Sequence, residues 1–497
     1  MDADVVIVGA GPTGLMLAGE LLLGGAGVVV VDRLDEPHGQ SRGLGFTTRA
    51  AECFDQRGLM ARFGETQHSP VGHFGGLIVD FTALPGAYFG VRGILQATTE
   101  RVLEDWAREL GMDLRRGRTF VGLADLGDSV EVHLSGPAGE ERLRCRYLVG
   151  CDGGRSTVRR AAGFDFPGTP ARMEMFLADV QGAGLRPRPL GERVERGMVM
   201  AAPLGDDIDR IIVCERGTVP ARDGVPPRFP EVAAAWQRLT GEDIHGYDAL
   251  WVSAFTDAAH LVCAYRRNRV LLAGDAAHVH LPAGGQGLSV GVQDAVNLGW
   301  KLAATVRGDA PDDLLDTYHA ERHPVGARLL MNTQAQGLLY LSGPEVDPLR
   351  TVMTELIAIP EVSRHLAGMV SGLDIRYPTG AGDHPLLGRR VPPHTLVTDA
   401  GKTSTVEILR GGRGVLLDLA DDPGLRESAA GWAHRVDVVT ARPLDGGSDP
   451  PIGSLDSLLV RPDGYVAWLG PGSAVPLTDA LSRWFGAPVP VSTTHRS

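Results

Sequence analysis

Three glycines, Gly9-x-Gly11-x-x-Gly14, stand between a β-branched run (Asp4 to Val8) and an apolar-rich segment that reaches Leu23. The first glycine allows a tight turn, the second lets the backbone approach a pyrophosphate, and the third brings helix and strand close together. The helix start then offers an anion unpaired N–H groups and the positive end of the helix dipole. Gly24-Gly25 closes the segment, and a second β-branched run, Gly27 to Asp32, ends in an acid suited to accept hydrogen bonds from a ribose. Strand, glycine turn, helix and strand make a βαβ unit, and its crossover predicts a parallel sheet that binds a dinucleotide.

Two further patterns carry chemistry of the same kind. Gly150-Cys151-Asp152-Gly153, with Ser156-x-Val158-Arg159, follows the strand-like run Leu143 to Gly150; alone, such an Asp-Gly is an ordinary turn. Arg269 to Gly274 reads as a buried strand, followed by Asp275, His278 and the loop Pro282-x-Gly284-Gly285-Gln286-Gly287. An acid at a strand end can hydrogen-bond a polyol. The glycine loop then starts a helix, predicted over Gly291 to Val306, whose positive end suits the anionic ring of a reduced flavin.

The elements that must position these motifs are legible in outline. A helix is predicted over Thr98 to Leu110, with a threonine as N-cap, and a strand over Ser129 to Leu134. From Phe164 to His260 prolines and glycines separate strand-like pieces such as Arg210 to Cys214 and Leu250 to Phe255, which reads as an inserted antiparallel sheet. Pro378, Pro385, Pro392 and Pro393 mark a linker. Beyond it, Gly414 to Leu419, Arg435 to Thr440, Ser457 to Val460 and Tyr465 to Leu469 read as strands, and Thr478 to Trp484 as a helix. The expected fold is α/β: a Rossmann-like nucleotide domain in two parts (1–165 and 261–377), an antiparallel sheet domain (166–260), a linker (378–393) and a C-terminal α/β domain (394–497).

Composition narrows the class. The chain has 497 residues, 48 basic and 61 acidic, for a net charge of −13. With no Lys/Arg-rich run, nucleic acid and anionic membranes are poor partners. Five cysteines (Cys53, Cys145, Cys151, Cys214, Cys263) show no CxxC spacing, so neither a disulfide framework nor a zinc site follows. The apolar N-terminus is broken by glycines and lacks a cleavage signal, which predicts a soluble, cytoplasmic protein.

The three glycine and acid motifs, in this order and spacing, resemble those of the FAD-dependent aromatic hydroxylases of the para-hydroxybenzoate hydroxylase class, group A flavoprotein monooxygenases. The stretches Ser41 to Phe46 (SRGLGF), Gly274 to Leu302, Asn332 to Val346 (NTQAQGLLYLSGPEV) and Arg461 to Trp468 (RPDGYVAW) are similar to those of aromatic polyketide hydroxylases, closest to the angucycline type. The resemblance implies a glutathione-reductase-type FAD-binding domain, FAD and NADPH as cofactors, and a thioredoxin-like C-terminal domain that contains no cysteine and so has no redox role. It implies that Gly9, Gly11, Pro12, Thr13 and Gly14 hold the pyrophosphate and Asp32 the adenosine ribose. Arg33 would lie beside the adenosine, Arg42 near the pyrophosphate with a second role toward NADPH, Gln96 at the phosphate–ribityl region, and the Val121 backbone at the adenine. Asp152 would be shared by FAD and NADPH, and Asp275 would hold the ribityl chain. Pro282 and the loop Gly285, Gly287 and Leu288 would lie against the flavin ring, with Pro282 and Gly285 nearest the chemistry. Ser289 stands where the family commonly has Asn, which bears on flavin tuning.

The implied reaction is hydroxylation of an aromatic polyketide intermediate by O₂, through a flavin C4a-hydroperoxide, in antibiotic biosynthesis. No side-chain base is identified; His73, His278 and His280 lie near the motifs, yet histidines are more often packing residues. Phe74, Tyr88, Phe89, Trp251 and Phe255 are candidates to line a pocket for a flat polycycle, although each singly reads as well as core. Baeyer–Villiger or ring-opening oxidation and antibiotic inactivation use the same scaffold. A non-catalytic protein of the same fold, like the GDP-dissociation inhibitors, stands outside the enzymes. Monomer and homodimer are both open.

Overall fold

A computed structural model describes residues 1–84, 86, 90–220, 225–310, 313–444 and 452–490. The first strand, Ala3–Val8, lies between Val28–Val31 and Gly139–Gly150 and runs parallel to both. Val270–Leu272 extends the parallel set on one side and Asp113–Arg115 on the other. Val5 to Val8 and Val28 to Val31 are buried on both faces, as continuous β-branched runs in a covered parallel sheet should be. The helix Pro12–Leu23 packs along a second helix, Gln286–Arg307. They approach closely because Gly299 has no side chain: a Cβ there would fall 2.3 Å from Glu20 Cβ.

The helix expected over Thr98 to Leu110 spans Gln96–Glu109. Its N-cap is Leu95, not a threonine; Thr99 instead donates its hydroxyl to the Leu95 carbonyl at 3.1 Å. A threonine inside the first turn can bond its own backbone, which competes with capping.

Residues 174–256 build a five-stranded antiparallel sheet in the order Arg188–Val194, Gly197–Gly205, Ile208–Glu215, Glu174–Gln181, Asp248–Thr256. Strand alternation divides it. Ala178, Val180, Val199, Ala201, Ile211 and Val213 cover the helix Phe229–Thr240 through Val232 and Trp236. Met175, Met198, Met200, Ile212, Cys214 and Phe255 face the other way, toward Leu281 and Ala283 of the glycine loop.

A helix of 29 residues, Asp313–Leu341, follows, and no periodic pattern in the sequence announces it. Its buried positions include Glu321, Arg322, Asn332, Thr333 and Gln336, which interrupt the apolar face made by Leu314, Leu315, Tyr318, Leu329 and Leu339. The C-terminal sheet has the order Val436–Thr440, Gly414–Asp418, Ser457–Val460, Val466–Gly470, the first pair parallel and the others antiparallel.

The expected linker needs correction. Within 378–393, Ala381, Leu386, Leu387 and Val391 are buried in the C-terminal core, and Arg390 forms a buried ion pair with Glu52 at 3.0 Å. Prolines and glycines make this backbone irregular, but its side chains are packed. No helix among the described residues is long and apolar enough to cross a membrane.

Candidate functional site

Parallel pairing brings the three motifs to one edge of the sheet. Gly9 follows Ala3–Val8, Asp32 follows Val28–Val31, Cys151-Asp152 follow Gly139–Gly150, and Gly274-Asp275 follow Val270–Leu272. Ligands of open α/β sheets bind in the crevice at such carboxyl ends. Gly9 has φ +109°, and a Cβ there would lie 2.4 Å from the Cys151 carbonyl oxygen. A Cβ on Gly14 would lie 2.0 Å from the Gly9 oxygen, and one on Gly274 would lie 2.7 Å from Thr13 Oγ1. The first motif is therefore wedged against the other two. Gly11 is different: nothing lies within 4 Å of its Cβ position, so its open side is where an anion can reach the helix start, which has no side-chain cap. Pro12 begins the helix, where a missing N–H costs nothing.

The acids around this edge are partly committed. Asp32 accepts from Ala10 N at 2.7 Å and Leu34 N at 2.9 Å, leaving further lone pairs for hydroxyl donors. Asp152 Oδ2 accepts from Thr157 N at 2.6 Å and Val158 N at 3.1 Å, tying down the short helix Thr157–Ala161, while Oδ1 is buried without a partner among the described residues. Asp275 is exposed. Beneath it lies a residue that the sequence reading missed. Asp294, fully buried, accepts from Gly274 N at 3.1 Å, engages His278 Nε2 at 2.7 Å and accepts from Arg322 Nε at 2.6 Å. Burial pushes the Asp294 carboxyl up, but Arg322 and His278 outweigh it and hold it below the usual range. The available signal was a lone acid inside the otherwise apolar helix pattern after Gly291.

The remaining candidates spread around the rim. Arg33 is exposed. Val121 falls at a register shift between Phe120 and Gly122, so it has no partner residue in the ladder. Gln96 opens its helix; Gly43 N donates to its Oε1 at 3.4 Å, and Ala97 N to Ser41 Oγ at 3.0 Å. Arg42 is exposed and reaches Ser253 Oγ of the five-stranded sheet at 3.4 Å. Leu288 fills the space over Gly43, where a Cβ would meet Leu288 Cδ1 at 2.1 Å. Pro282 and Gly285 are exposed at the head of the helix Gln286–Arg307. A Cβ on Gly287 would sit 3.1 Å from His280 Nε2. Ser289 is buried and accepts from Thr47 N at 2.9 Å, so its hydroxyl clasps the segment after SRGLGF and is turned to the backbone.

Of the aromatic candidates, Trp251 and Phe255 share one sheet face. The Arg210 guanidinium lies 5.2 Å from the Trp251 ring and pairs twice with Asp179 at 2.7 Å. Arg210 also donates to the Ser41 carbonyl. Phe255 borders the methionine-rich cluster facing Leu281 and Ala283. Phe74 sits in another core, with Val79, Phe81, Leu339 and Val370. Tyr88 and Phe89 lie outside the described residues. Met198, Met200, Ile212 and Tyr340 were missed, although the alternation in Gly197–Gly205 and Ile208–Glu215 would have placed the first three on the face of Phe255.

None of the three histidines near the motifs is a free base in solution. His278 is bound to Asp294. His73 Nδ1 accepts from Gly76 N at 3.2 Å, and burial pushes its pKa down. His280 Nδ1 donates to the Leu281 carbonyl at 2.7 Å; burial, then His278, lowers it to about 4, so it is neutral near pH 7 with Nε2 as acceptor. No group of three or more metal-ligating side chains forms among the described residues.

FAD fits this edge: an uncapped helix start with an open glycine face for the pyrophosphate, acids at the strand ends for its hydroxyls, and an unpartnered Asp152 oxygen. The comparisons agree. Residues 2–333 match the model of the FAD binding domain, and residues 384–488 that of the aromatic-ring hydroxylase C-terminal domain. The solved structure of CabE, an aromatic hydroxylase from angucycline biosynthesis, is 63% identical, with a TM-score of 0.96 over 98% of this chain and 100% of that one. The 12-dehydrotetracycline 5-monooxygenase/anhydrotetracycline 6-monooxygenase of Streptomyces rimosus is 46% identical over 98% of this chain and 100% of its own. Rifampicin monooxygenase of Streptomyces venezuelae is 42% identical over 97% and 99%. The chain belongs to the FAD-dependent aromatic-ring hydroxylases, the group A flavoprotein monooxygenases.

Proposed function

We propose that this enzyme uses FAD and NADPH to hydroxylate an aromatic polyketide of the angucycline type. The observation that carries the reading is the apolar platform of Met198, Met200, Ile212 and Phe255 opposite Leu281 and Ala283, beside the glycine loop. A flat polycycle needs such a wall, and thioethers adapt to its outline. The polar end of the same face, Arg210, Asp179 and Ser253, suits the oxygenated edge of a polyketide. The 63% identity with an angucycline-pathway hydroxylase supports the substrate class.

FAD, when bound, would supply the activation of O₂, one of whose oxygen atoms reaches the ring while the other leaves as water. The chain supplies the rest. The helix start at Gly11 to Gly14 would bind the pyrophosphate, Asp32 the ribose and Asp275 the ribityl hydroxyls; Gln96 would meet the phosphate–ribityl region, and Arg33 and the Val121 backbone would border the adenosine half. Pro282, Gly285, Gly287 and Leu288 would lie along the flavin ring, and Asp294 fixes the Gly274 turn below it. Arg42, exposed beside Ser253, would meet NADPH together with Asp152. The methionine wall excludes water from the reacting carbon, while neutral His280 Nε2 offers an acceptor near the loop. The 174–256 sheet would be the substrate domain. The C-terminal sheet order and its flanking helices support a thioredoxin-like unit in a structural role, since all five cysteines precede it.

The test is NADPH oxidation under air with and without a tetracyclic angucyclinone, followed by product mass. Stimulated oxidation with a gain of one oxygen atom is expected. A yellow protein that oxidises NADPH but leaves the ligand intact would refute the substrate class; one reduced only by NADH would refute the donor. The 42% identity with a rifampicin monooxygenase favours a second reading, inactivation of a finished antibiotic, and product structure separates the two.

A further inference from the structure

Three buried side-chain amides, joined by four hydrogen bonds, connect the glycine loop to a hairpin more than two hundred residues away in sequence. The hairpin Val71–Phe74/Leu77–Asp80 turns at Gly75 and Gly76. Gly75 N donates to Gln336 Oε1 at 3.1 Å, and Gln336 Nε2 donates to Asn332 Oδ1 at 3.0 Å. Asn332 Nδ2 donates to Gln286 Oε1 at 3.0 Å, and Gln286 Nε2 donates to the Ala283 carbonyl at 3.2 Å. Gln286, Asn332 and Gln336 are each at most 3% exposed.

The chain has a fixed direction. It starts at a backbone N–H, which can only donate, and ends at a backbone carbonyl, which can only accept. Flipping one amide would set oxygen against oxygen at one junction and N–H against N–H at the next, so the two ends dictate all three side-chain orientations. Bonds in such a series polarise one another, and a break strands buried polar groups at both sides. Both ends lie at left-handed glycine turns: Gly75 has φ +59°, and Gly284 and Gly285 follow Ala283 at +70° and +64°. Neither stretch is held by a regular ladder at that point. The two residues contributed by the long helix belong to the NTQAQG stretch, for which the family likeness gave no role.

We propose that Gln286, Asn332 and Gln336 form a positioning relay that sets the glycine loop against the flavin ring according to the placement of the Gly75 hairpin. They are positioning residues; none is placed against FAD or substrate. The hairpin backs the long helix at Leu339, next to Tyr340 of the methionine-walled face. Occupation of that face and the loop's geometry are thereby mechanically linked. This rests on the reading that residues 282–288 face the flavin ring.

The test is a double-mutant cycle on holoenzyme with Gln286→Met, Gln336→Met and the pair, read by FAD dissociation constant, flavin absorption spectrum and melting temperature. Each single change should weaken FAD binding roughly three- to tenfold and shift the flavin bands, because an unmade buried bond is felt along the series. The pair should be no worse than the more severe single change. If Gln336→Met does not fold, the isosteric Gln336→Glu, which cannot donate to Asn332 when ionised, takes its place. Additive effects, or a lowered melting temperature with an unchanged flavin spectrum, would overturn the relay. Pro282→Ala separates the two layers. If it shifts the flavin bands while the amide variants do not, the relay alone is wrong; if nothing shifts them, the loop assignment falls and the relay with it.

Discussion

Removing one guanidinium should loosen the whole C-terminal unit. Arg461 is fully buried and donates to both oxygens of Glu321, at 2.6 and 2.8 Å, and to Asp463 at 3.0 Å. Lys301 donates to Glu321 at 2.8 Å, and Asn297 donates to Glu321 at 2.7 Å and to Asp463 at 3.1 Å. Two carboxylates thus face one guanidinium and one ammonium. Burial pushes Glu321 up, but Arg461 and Lys301 outweigh it and hold its carboxyl at about 2. Arg461→Met keeps much of the volume and leaves two buried carboxylates against Lys301 alone. Breaking a buried pair from one side costs about 3–5 kcal/mol, a large share of the roughly 5–15 kcal/mol that holds a typical protein folded. Urea unfolding followed by tryptophan fluorescence reads the site directly, because the Trp484 and Trp300 rings lie 4.5 and 5.4 Å from Arg461 Cζ. The midpoint should fall by the equivalent of that energy. Arg461→Met with Asp463→Asn, which restores the charge balance, should be more stable than Arg461→Met alone. A single variant within about 0.5 kcal/mol of the parent, the usual range for surface changes, or a pair worse than the single, would refute the reasoning.

Gly14→Ala places a methyl 2.0 Å from the Gly9 oxygen, so the turn must open, and the purified protein should lose its yellow colour on gel filtration while the parent keeps it. Ser289→Ala strands the buried Thr47 N–H and should cost about 1–3 kcal/mol in thermal unfolding; no loss would mean that Thr47 N finds another acceptor. Acid should destabilise the fold in two stages. His280 sits at about 4 against an ordinary 6.5, and Glu321 at about 2 against 4.5. In each case the unfolded chain takes up the proton first, so stability present above the ordinary value is lost as pH falls toward the folded one. Melting temperatures should therefore decline between about pH 6.5 and 4, and His280→Asn should flatten that limb.

The glycine and acid motifs at the sheet edge were legible because they are written in local pattern. Gly9, Gly11, Gly14 and Asp32 sit within one βαβ unit, and the strands beside them are uninterrupted apolar runs. Ser457–Val460 and the glycine-loop helix were legible for the same reason. What escaped is what depends on burial of polar groups. Glu321, Arg322, Asn332 and Gln336 are charged or amide side chains on the inner face of Asp313–Leu341, so they break its apolar face in the middle and that stretch reads as surface. Asp294 and Arg461 are hidden similarly: a buried charge cannot be told from an exposed one until its partner, distant in sequence, is in place. The segment 378–393 erred the other way, since proline and glycine richness implied exposure where Leu386 and Leu387 are core.

A unit without a thiol can still serve the chemistry if it holds the helix that presents the glycine loop. Gln286–Arg307 begins at Gly285, carries Ser289 against Thr47 N and Asp294 under Gly274, and ends among residues of the C-terminal unit. Trp300 packs against Trp484 and Phe485 at 6.5 and 6.2 Å, and Lys301 joins the cluster closed by Arg461 and Asp463. A chain ending after residue 377 would expose Trp300 and leave buried Glu321 with Lys301 but without Arg461. Such a chain keeps every residue proposed to touch FAD. If those residues alone set the site, it should bind FAD as the full chain does. If the far end of the helix must be clamped, it should be expressed colourless and remain so after FAD is added, and adding the separate C-terminal segment should restore binding only where the two associate. Full FAD affinity in the shortened chain would reduce the unit to an appendage.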